Sequence, residues 1–374
     1  MVAIGPLSID MYLPGLPEIT RSLKADATAV QLTLTAVVIG LALGQLVAGP
    51  LSDVVGRRRP LFVGLLGYSA ASLLCALAPT VHALTALRLL QGLAGGAAIV
   101  IGRAVVRDLY SGAAAARLFS SLMLVTGLAP ILAPVLGGQL LKITEWQGIF
   151  VVLAGLSLAI LTLAAVALPE TLPPEKRDRG GLEGALKTMR SLLTQRSFLR
   201  YALTAALAFG ALFAYISGSP FVFQDIYGLS PQAFSLAFGV NGLGLVAGSQ
   251  VNARLVGRFG PAYLLRRALL VIVAAAAALV AVVAIGGLGV WPVIITTFLV
   301  MSSLSFVMPN STALALADHA KVAGTASALL GVIQFLVGGL AAPLVGIGGT
   351  GSALPMAVVM FTLASGAVVA NRWL

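Results

Sequence analysis

Residues 49–61 read GPLSDVVGRRRPL, and apolar runs flank this stretch at 30–52 and 60–79. Asp53 and three consecutive arginines, Arg57, Arg58 and Arg59, crowd the gap. Each flank is close to the roughly 20 apolar residues that a helix needs to cross a bilayer core about 30 Å thick. The gap is then an aqueous turn between two spans. The same alternation of apolar run and short charged gap recurs along the whole chain.

Hydrophobic residues make up 59% of the 374 and charged residues 9%, against about 25% charged in an average soluble domain. A soluble fold of this size must turn polar surface to water. Too little is present here, so most of the outside faces lipid. The formal net charge of +11 suggests nucleic acid at first glance. The basic residues, however, apart from Arg88 and Arg103, are confined to the gaps between apolar runs, which excludes a nucleic-acid partner. The one cysteine, Cys75, lies in an apolar segment, so no intrachain disulfide can form and packing is its expected use. The opening MVAIGPLSIDMYLPGLPEI is apolar from its first residue and has no basic region, so it does not read as a cleavable signal peptide. It is short for a span, which predicts a first helix truncated at its N-terminal side.

In lipid the backbone must satisfy its own hydrogen bonds, so spans are helices or closed barrels. Barrel strands alternate apolar and polar residues, whereas these runs are continuously apolar. Twelve helical spans are predicted, near 1–19, 30–52, 60–79, 84–106, 118–141, 148–168, 199–222, 233–255, 268–288, 291–317, 323–346 and 352–371. With the N-terminus placed in the cytoplasm, only Arg21, Lys24 and Lys142 of the 23 Lys and Arg fall on the far side. Arg88 and Arg103 lie within spans, and all the others lie in cytoplasmic gaps or at the tail. By the positive-inside rule this sets the topology, with both termini cytoplasmic.

The longest gap, 169–198, is charged and begins Pro-rich, with a short surface helix predicted at 182–194. It reads as a cytoplasmic linker between two six-helix bundles, 1–168 and 199–374. A weak internal repeat supports two related halves. GQLVAGPLSDVVGRRRPLF at 44–62 aligns with GSQVNARLVGRFGPAYLLR at 248–266, matching Gly44 to Gly248, Val47 to Val251, Leu51 to Leu255 and Gly56 to Gly260. Parallel halves of this kind fit a transporter built around a midplane site.

Gly49, Asp53, Gly56, Arg57 and Arg58 resemble the G-x-x-x-D-x-x-G-[RK]-[RK] signature of the major facilitator superfamily, which that family carries between helices 2 and 3. Arg88, Gln91 and Gly92 in RLLQG resemble the family's R-x-x-Q-G. Ala133, Pro134, Gly137 and Gly138 in APVLGG are similar to its antiporter motif G-P-x-x-G-G, with Ala129 and Ala133 where glycine is usual. SIDMYLPGLP at 8–17, VVRDLY at 105–110, MPNSTALAL at 308–316 and GTASALLGVIQF at 324–335 resemble the Bcr/CflA branch, which includes bicyclomycin and phenicol exporters. The resemblance covers nearly the whole chain. It implies an alternating-access drug:proton antiporter of a bacterial inner membrane, monomeric, with a small apolar drug and protons as its partners. The branch often carries a second carboxylate about two turns before the helix-1 aspartate; here that place is Val2 or is missing.

Asp10 is the one acidic residue well inside a predicted span. Charges in the bilayer core are costly and usually functional, so Asp10 is the candidate proton carrier. The bland alternative is a structural cap or pair. Arg88 is its expected partner and cannot itself give up a proton. It could instead snorkel to the interface. Arg103 follows fifteen residues later, about 60° around the helix, and could draw in substrate or snorkel. Asp53, Arg57 and Asp108 form a second constellation, which the resemblance implies is a latch between cytoplasmic helix ends. Asp53 would complement the start of helix 11 near Gly324. In the second half Gly257 and Pro261 replace Asp53 and Arg57, so that half lacks the latch.

In helix 5, Ala129, Ala133, Gly137 and Gly138 would permit close helix approach, and Pro134 could kink the helix. Substrate-binding candidates are Asp10, Tyr12, Arg88, Gln91, Phe213, Asn241, Asn310 and Gln334, with Phe209, Tyr215, Phe221, Phe223, Phe234 and Phe238 as further aromatics that could equally pack. His82 and His319 suggest no metal site. GIGGTG at 346–351 matches a dinucleotide string by chance, because no strand precedes it. No cofactor, ATP-binding loop or catalytic set is read, so the chain is not expected to be an enzyme. Two rivals to export stand: an uptake carrier on the same fold, and a channel or receptor without turnover.

Overall fold

A computed structural model describes residues 1–110, 122, 128–173, 175, 177, 188–319, 322–349 and 351–373. Among these residues ten helices are long and apolar enough to cross a membrane. They correspond to ten of the twelve expected spans. The other two take different forms. The expected span at 1–19 is α1 (Ile4–Asp10), a 3-10 turn (Leu13–Gly15) and α2 (Leu16–Ser22). The described part of the expected span at 118–141 is the apolar helix α6 (Leu128–Leu140), and most of 118–127 lies outside the described residues.

The break in the first span has a local cause. Pro14 and Pro17 each lack a backbone donor, so the helix cannot continue through them, and each opens a new helical segment. Chain contacts divide the protein into two units, Met1–Glu183 and Gly184–Leu374.

In the first unit α3 (Ala27–Val55), α4 (Arg58–Ala76), α5 (Val81–Leu109) and α7 (Gln147–Ala167) follow α1 and α2. Asp26 and Thr80 cap α3 and α5 by accepting the N–H groups of Ala29 and Ala83. α3 packs closely on α5. Gly40 and Gly44 of α3 meet Gly92 and Gly96 of α5, and a Cβ on any of the four would overlap the facing backbone. Lipid offers no hydrophobic gain for helix association, so close backbone approach through small residues supplies it. In α6, Gly137 packs in the same way on the Met11 backbone, and Ala133 and Pro134 are buried. α7 is fastened to α4 by Ser157 Oγ donating to the Leu65 carbonyl (2.8 Å) and Ser69 Oγ donating to the Ala154 carbonyl (3.1 Å).

The second unit contains α8 (Arg196–Pro220), continued by a π turn at Phe221–Ile226, then α9 (Pro231–Phe259), α10 (Pro261–Ile285), α11 (Trp291–Ala317), α12 (Ala323–Ile347) and α13 (Leu354–Trp373). α8 is the most buried of the long helices and packs on α11, α12 and α13. Residues 188–192 are helical, and Leu192 joins a core with Phe198, Ala202, Ala315, Ala326 and Leu330. Residues 182–187 of the expected surface helix lie outside the description.

The aligned glycines take the same place in both units. Gly56 (φ 98°) ends α3 and Gly260 (φ 76°) ends α9, each with the next helix following at once. Such φ values favour glycine. Outward-facing side chains such as Val63 (74% exposed) and Val166 (85%) fit a lipid-facing surface.

Candidate functional site

Arg88, on α5, is fully buried. Its Nη1 donates to Gln91 Oε1 (2.6 Å) and its Nη2 to the Ser8 carbonyl (2.9 Å). The guanidinium carbon lies 4.5 Å from the Tyr12 ring centroid and 5.6 Å from that of Phe150, so π faces supply part of its electrostatic environment. Its Nε–H is buried without an acceptor among the described residues. The network spreads from there. Gln91 Nε2 donates to Ser72 Oγ (2.7 Å), Ser8 Oγ and Tyr68 OH are 2.6 Å apart, and Tyr12 OH is 3.0 Å from Thr33 Oγ1. Sequence reading picked Tyr12, Arg88 and Gln91 from this cluster and missed Ser8, Thr33, Tyr68 and Ser72. The available signal was a hydroxyl inside an apolar span, which must find a partner.

Asp10 is 4% exposed. Its carboxyl group forms no ion pair or hydrogen bond with a described residue, and the ion pairs among those residues are both made by Arg57. The expected Asp10–Arg88 pair is therefore not made. The helix explains why. Ser8 turns its hydroxyl to Tyr68 and its carbonyl to Arg88, and Tyr12, one turn on, lies under the guanidinium. Asp10, two residues from Ser8, projects about 200° around the helix from it. Arg103 is exposed and about 22 Å further along α5 than Arg88, at 1.5 Å per residue, so it takes no part in this cluster.

The three side chains of the second expected constellation, Asp53, Arg57 and Asp108, meet within the first unit. Arg57 sits between α3 and α4, where Gly56 turns the chain. Its Nη1 pairs with Asp53 (2.5 Å) and donates to Ser52 Oγ (2.7 Å), and its Nε donates to Asp108 Oδ2 at 2.8 Å. The pair of carboxylates outweighs burial and holds the guanidinium above its ordinary pKa. Arg58 reaches the Ala165 carbonyl (2.8 Å), and Gly49 packs on Val100.

One participant was not foreseen. Glu170, just after α7, accepts the backbone N–H groups of Arg57 (2.7 Å) and Arg58 (3.1 Å), so a carboxylate caps the start of α4. Thr171 Oγ1 adds a bond to Asp108 Oδ2 (3.1 Å). Burial alone would raise the Glu170 pKa. The N–H groups of Arg57, Leu172 and Arg58, with the Arg177 charge, outweigh it and bring the pKa below the ordinary value. The clue was an acidic residue following a span on the basic side, in the PETL segment at 169–172.

In the second unit the candidates are spread over several contacts. Asn241 Nδ2 donates to Tyr215 OH (2.6 Å) and Thr297 Oγ1 (3.2 Å), joining α9 to α8 and α11. Tyr215 stacks on Phe238 with centroids 5.2 Å apart, and Phe234 and Phe223 extend the row. Asn310 donates to Asn252 Oδ1 (2.7 Å) and to the Phe306 carbonyl (2.8 Å), so it too bonds between helices. Phe213 packs on Phe209, which meets Phe335 edge-on. Gln334 is half-buried.

A sequence model of the Major Facilitator Superfamily matches residues 1–343. The MFS-type transporter YdgK of Bacillus subtilis, itself described as uncharacterized, is 44% identical over 366 residues, covering 97% of this chain and 90% of its own. A bicyclomycin resistance protein homolog of Haemophilus influenzae is 32% identical over 366 residues, covering 98% and 91%. The multidrug resistance protein MdtL of Escherichia fergusonii is 32% identical over 230 residues, covering 61% and 57%. Among solved structures, a D-xylose-proton symporter matches with a TM-score of 0.79 at 15% identity, covering 100% of this chain and 96% of its own. The nucleoside transporter NupG matches at 0.78 and 14%, covering 99% and 96%. Identities this low bear on the fold alone. The fold is all-α and multi-pass, and the chain belongs to the major facilitator superfamily of transporters.

Proposed function

We propose that this transporter exports small, largely apolar drugs, of the bicyclomycin or phenicol kind, in exchange for protons by alternating access. The observation that carries the reading is Asp10, a buried carboxyl that forms no ion pair or hydrogen bond with a described residue. Such a group can be held protonated or ionised according to what else enters its surroundings, as a proton carrier requires. The names of the Haemophilus and Escherichia relatives support drugs as the cargo.

In this reading Arg88 does not pair with Asp10 directly. It fixes α1 through the Ser8 carbonyl, two residues away, and keeps its free Nε–H for a polar group of the drug. Gln91 and Tyr12 hold the guanidinium in place. Protonation of Asp10 and drug entry then act on one segment, α1, from two sides, which gives each a differential effect on the other. One proton crossing 100 mV releases about 2.3 kcal/mol, enough for roughly a fiftyfold gradient of a neutral drug. The Arg57 cluster with Glu170 keeps the ends of α3, α4 and α5 together through the cycle. The bacterial relatives support a bacterial cytoplasmic membrane as the location, and the distribution of basic residues supports both termini inside.

The test is phenicol movement in proteoliposomes under an imposed pH gradient. Wild type is expected to accumulate drug against its gradient, and Asp10→Asn to allow only downhill movement. Equal pumping by the variant would remove Asp10 from the mechanism.

A further inference from the structure

At one end of the second unit, residues from the second turn of α8, the second and third turns of α10 and the last two turns of α13 line a pocket of about 300 Å³. Arg200, Arg266 and Arg372 converge on it with Asn371, and Leu270 and Val368 form its apolar side. No Asp or Glu occurs anywhere in α8, α10 or α13. None of the three arginines forms an ion pair with a described residue, and Arg200 Nε is buried without an acceptor among them. Guanidinium groups do not shed their charge. Three of them in one pocket repel one another, the more strongly beside a low-dielectric medium. The arrangement calls for an anion.

The position narrows the choice. The pocket lies where α8 and α10 begin and α13 ends, the depth at which headgroups meet the hydrocarbon core. Beside it, Leu270, Val271 and Val369 are exposed along the membrane-facing sides of α10 and α13. Planar guanidinium forks match phosphate oxygens, and basic pockets between membrane helices attract anionic headgroups. We propose that this pocket binds the phosphate of an anionic phospholipid, whose acyl chains run along α10 and α13. A free phosphate ion would use the same arginines but would gain nothing from the apolar side.

The experiment uses the full chain, delipidated in detergent and titrated with phosphatidylglycerol, with bound lipid counted by native mass spectrometry. Wild type is expected to retain one phosphatidylglycerol in preference to phosphatidylcholine. Arg266→Gln with Arg372→Gln should weaken retention by about tenfold or more. Arg254→Gln with Arg258→Gln removes as many charges outside the pocket and should leave it unchanged. Millimolar inorganic phosphate should not displace the lipid. Equal retention of phosphatidylcholine, an equal loss in the Arg254/Arg258 control, or displacement by inorganic phosphate would each overturn the proposal. If the double variant does not purify as a single species, Arg372→Gln alone takes its place. A loss of about threefold is then expected, and no loss counts against the site.

Discussion

A guanidinium has five N–H donors, and Arg88, fully buried, places two of its bonds on Gln91 and the Ser8 carbonyl. The rings of Tyr12 and Phe150 cover part of the rest. Arg88→Lys keeps the charge but loses the fork and the ring contacts. We expect it to destabilise the protein by about 2 kcal/mol, the scale of hydrogen bonds to a charged group, visible as a lower melting temperature in detergent and accompanied by loss of transport. Glu170 allows a second test at this scale. Its pKa in the folded protein is depressed, so its stabilising contribution is complete above the ordinary value of 4.5 and disappears as pH falls through the lower folded value. Glu170→Gln should therefore cost up to about 1 kcal/mol at neutral pH, and its melting temperature should converge on that of wild type as the pH is lowered below that value. A constant gap would contradict the capping role. Asp10, Arg88, Asp53 and Arg57 were legible in the sequence because a charge beside or within an apolar span stands out. That Asp10 and Arg88 do not pair was not legible, since it depends on which face of α1 meets α5. Glu170 was hidden in a segment that reads as solvated linker.

The helices themselves were the most legible feature, because continuous apolar runs of membrane length leave little choice of structure. The places where sequence reading failed are specific. Pro14 and Pro17, three residues apart, break the first span. The four-residue spacing of Gly40 and Gly44, and of Gly92 and Gly96, marks a close helix pair in the first unit. The small-residue pattern in the fifth helix is the more conspicuous one in the sequence, and it too marks a close contact, at Gly137. Gly44→Ala places a methyl group against the Leu93 backbone, which cannot swing aside like a side chain. We expect it to cost about 1–3 kcal/mol by overpacking. Gly155→Ala on α7, where nothing lies within 4 Å, should be neutral or slightly stabilising. Thermal unfolding of the two variants side by side checks this, and equal melting temperatures would contradict the interlock. In the second unit, Gly244 and Gly248 of α9 repeat the α3 pair but face Phe298, Ser302 and Ser305 of α11. The repeat therefore keeps one side of the contact and changes the other.

Across the whole molecule the charge pattern carries the topology and the chemistry together. With Cys75→Ser as background, a cysteine replacing Pro79 should react with a membrane-impermeant maleimide in intact cells, and one replacing Arg59 should react only after the cells are opened. The reverse pattern would invert the topology and, with it, the direction of export. The central claim is that drug and proton exchange at Asp10, and it can be read without a membrane. Purified protein in weakly buffered detergent solution is mixed with a phenicol while a pH indicator records the protons released. The account predicts proton release on drug binding to wild type and none with Asp10→Asn, at a drug concentration where both bind. Equal release from the two proteins, or drug binding to wild type without release, would contradict it.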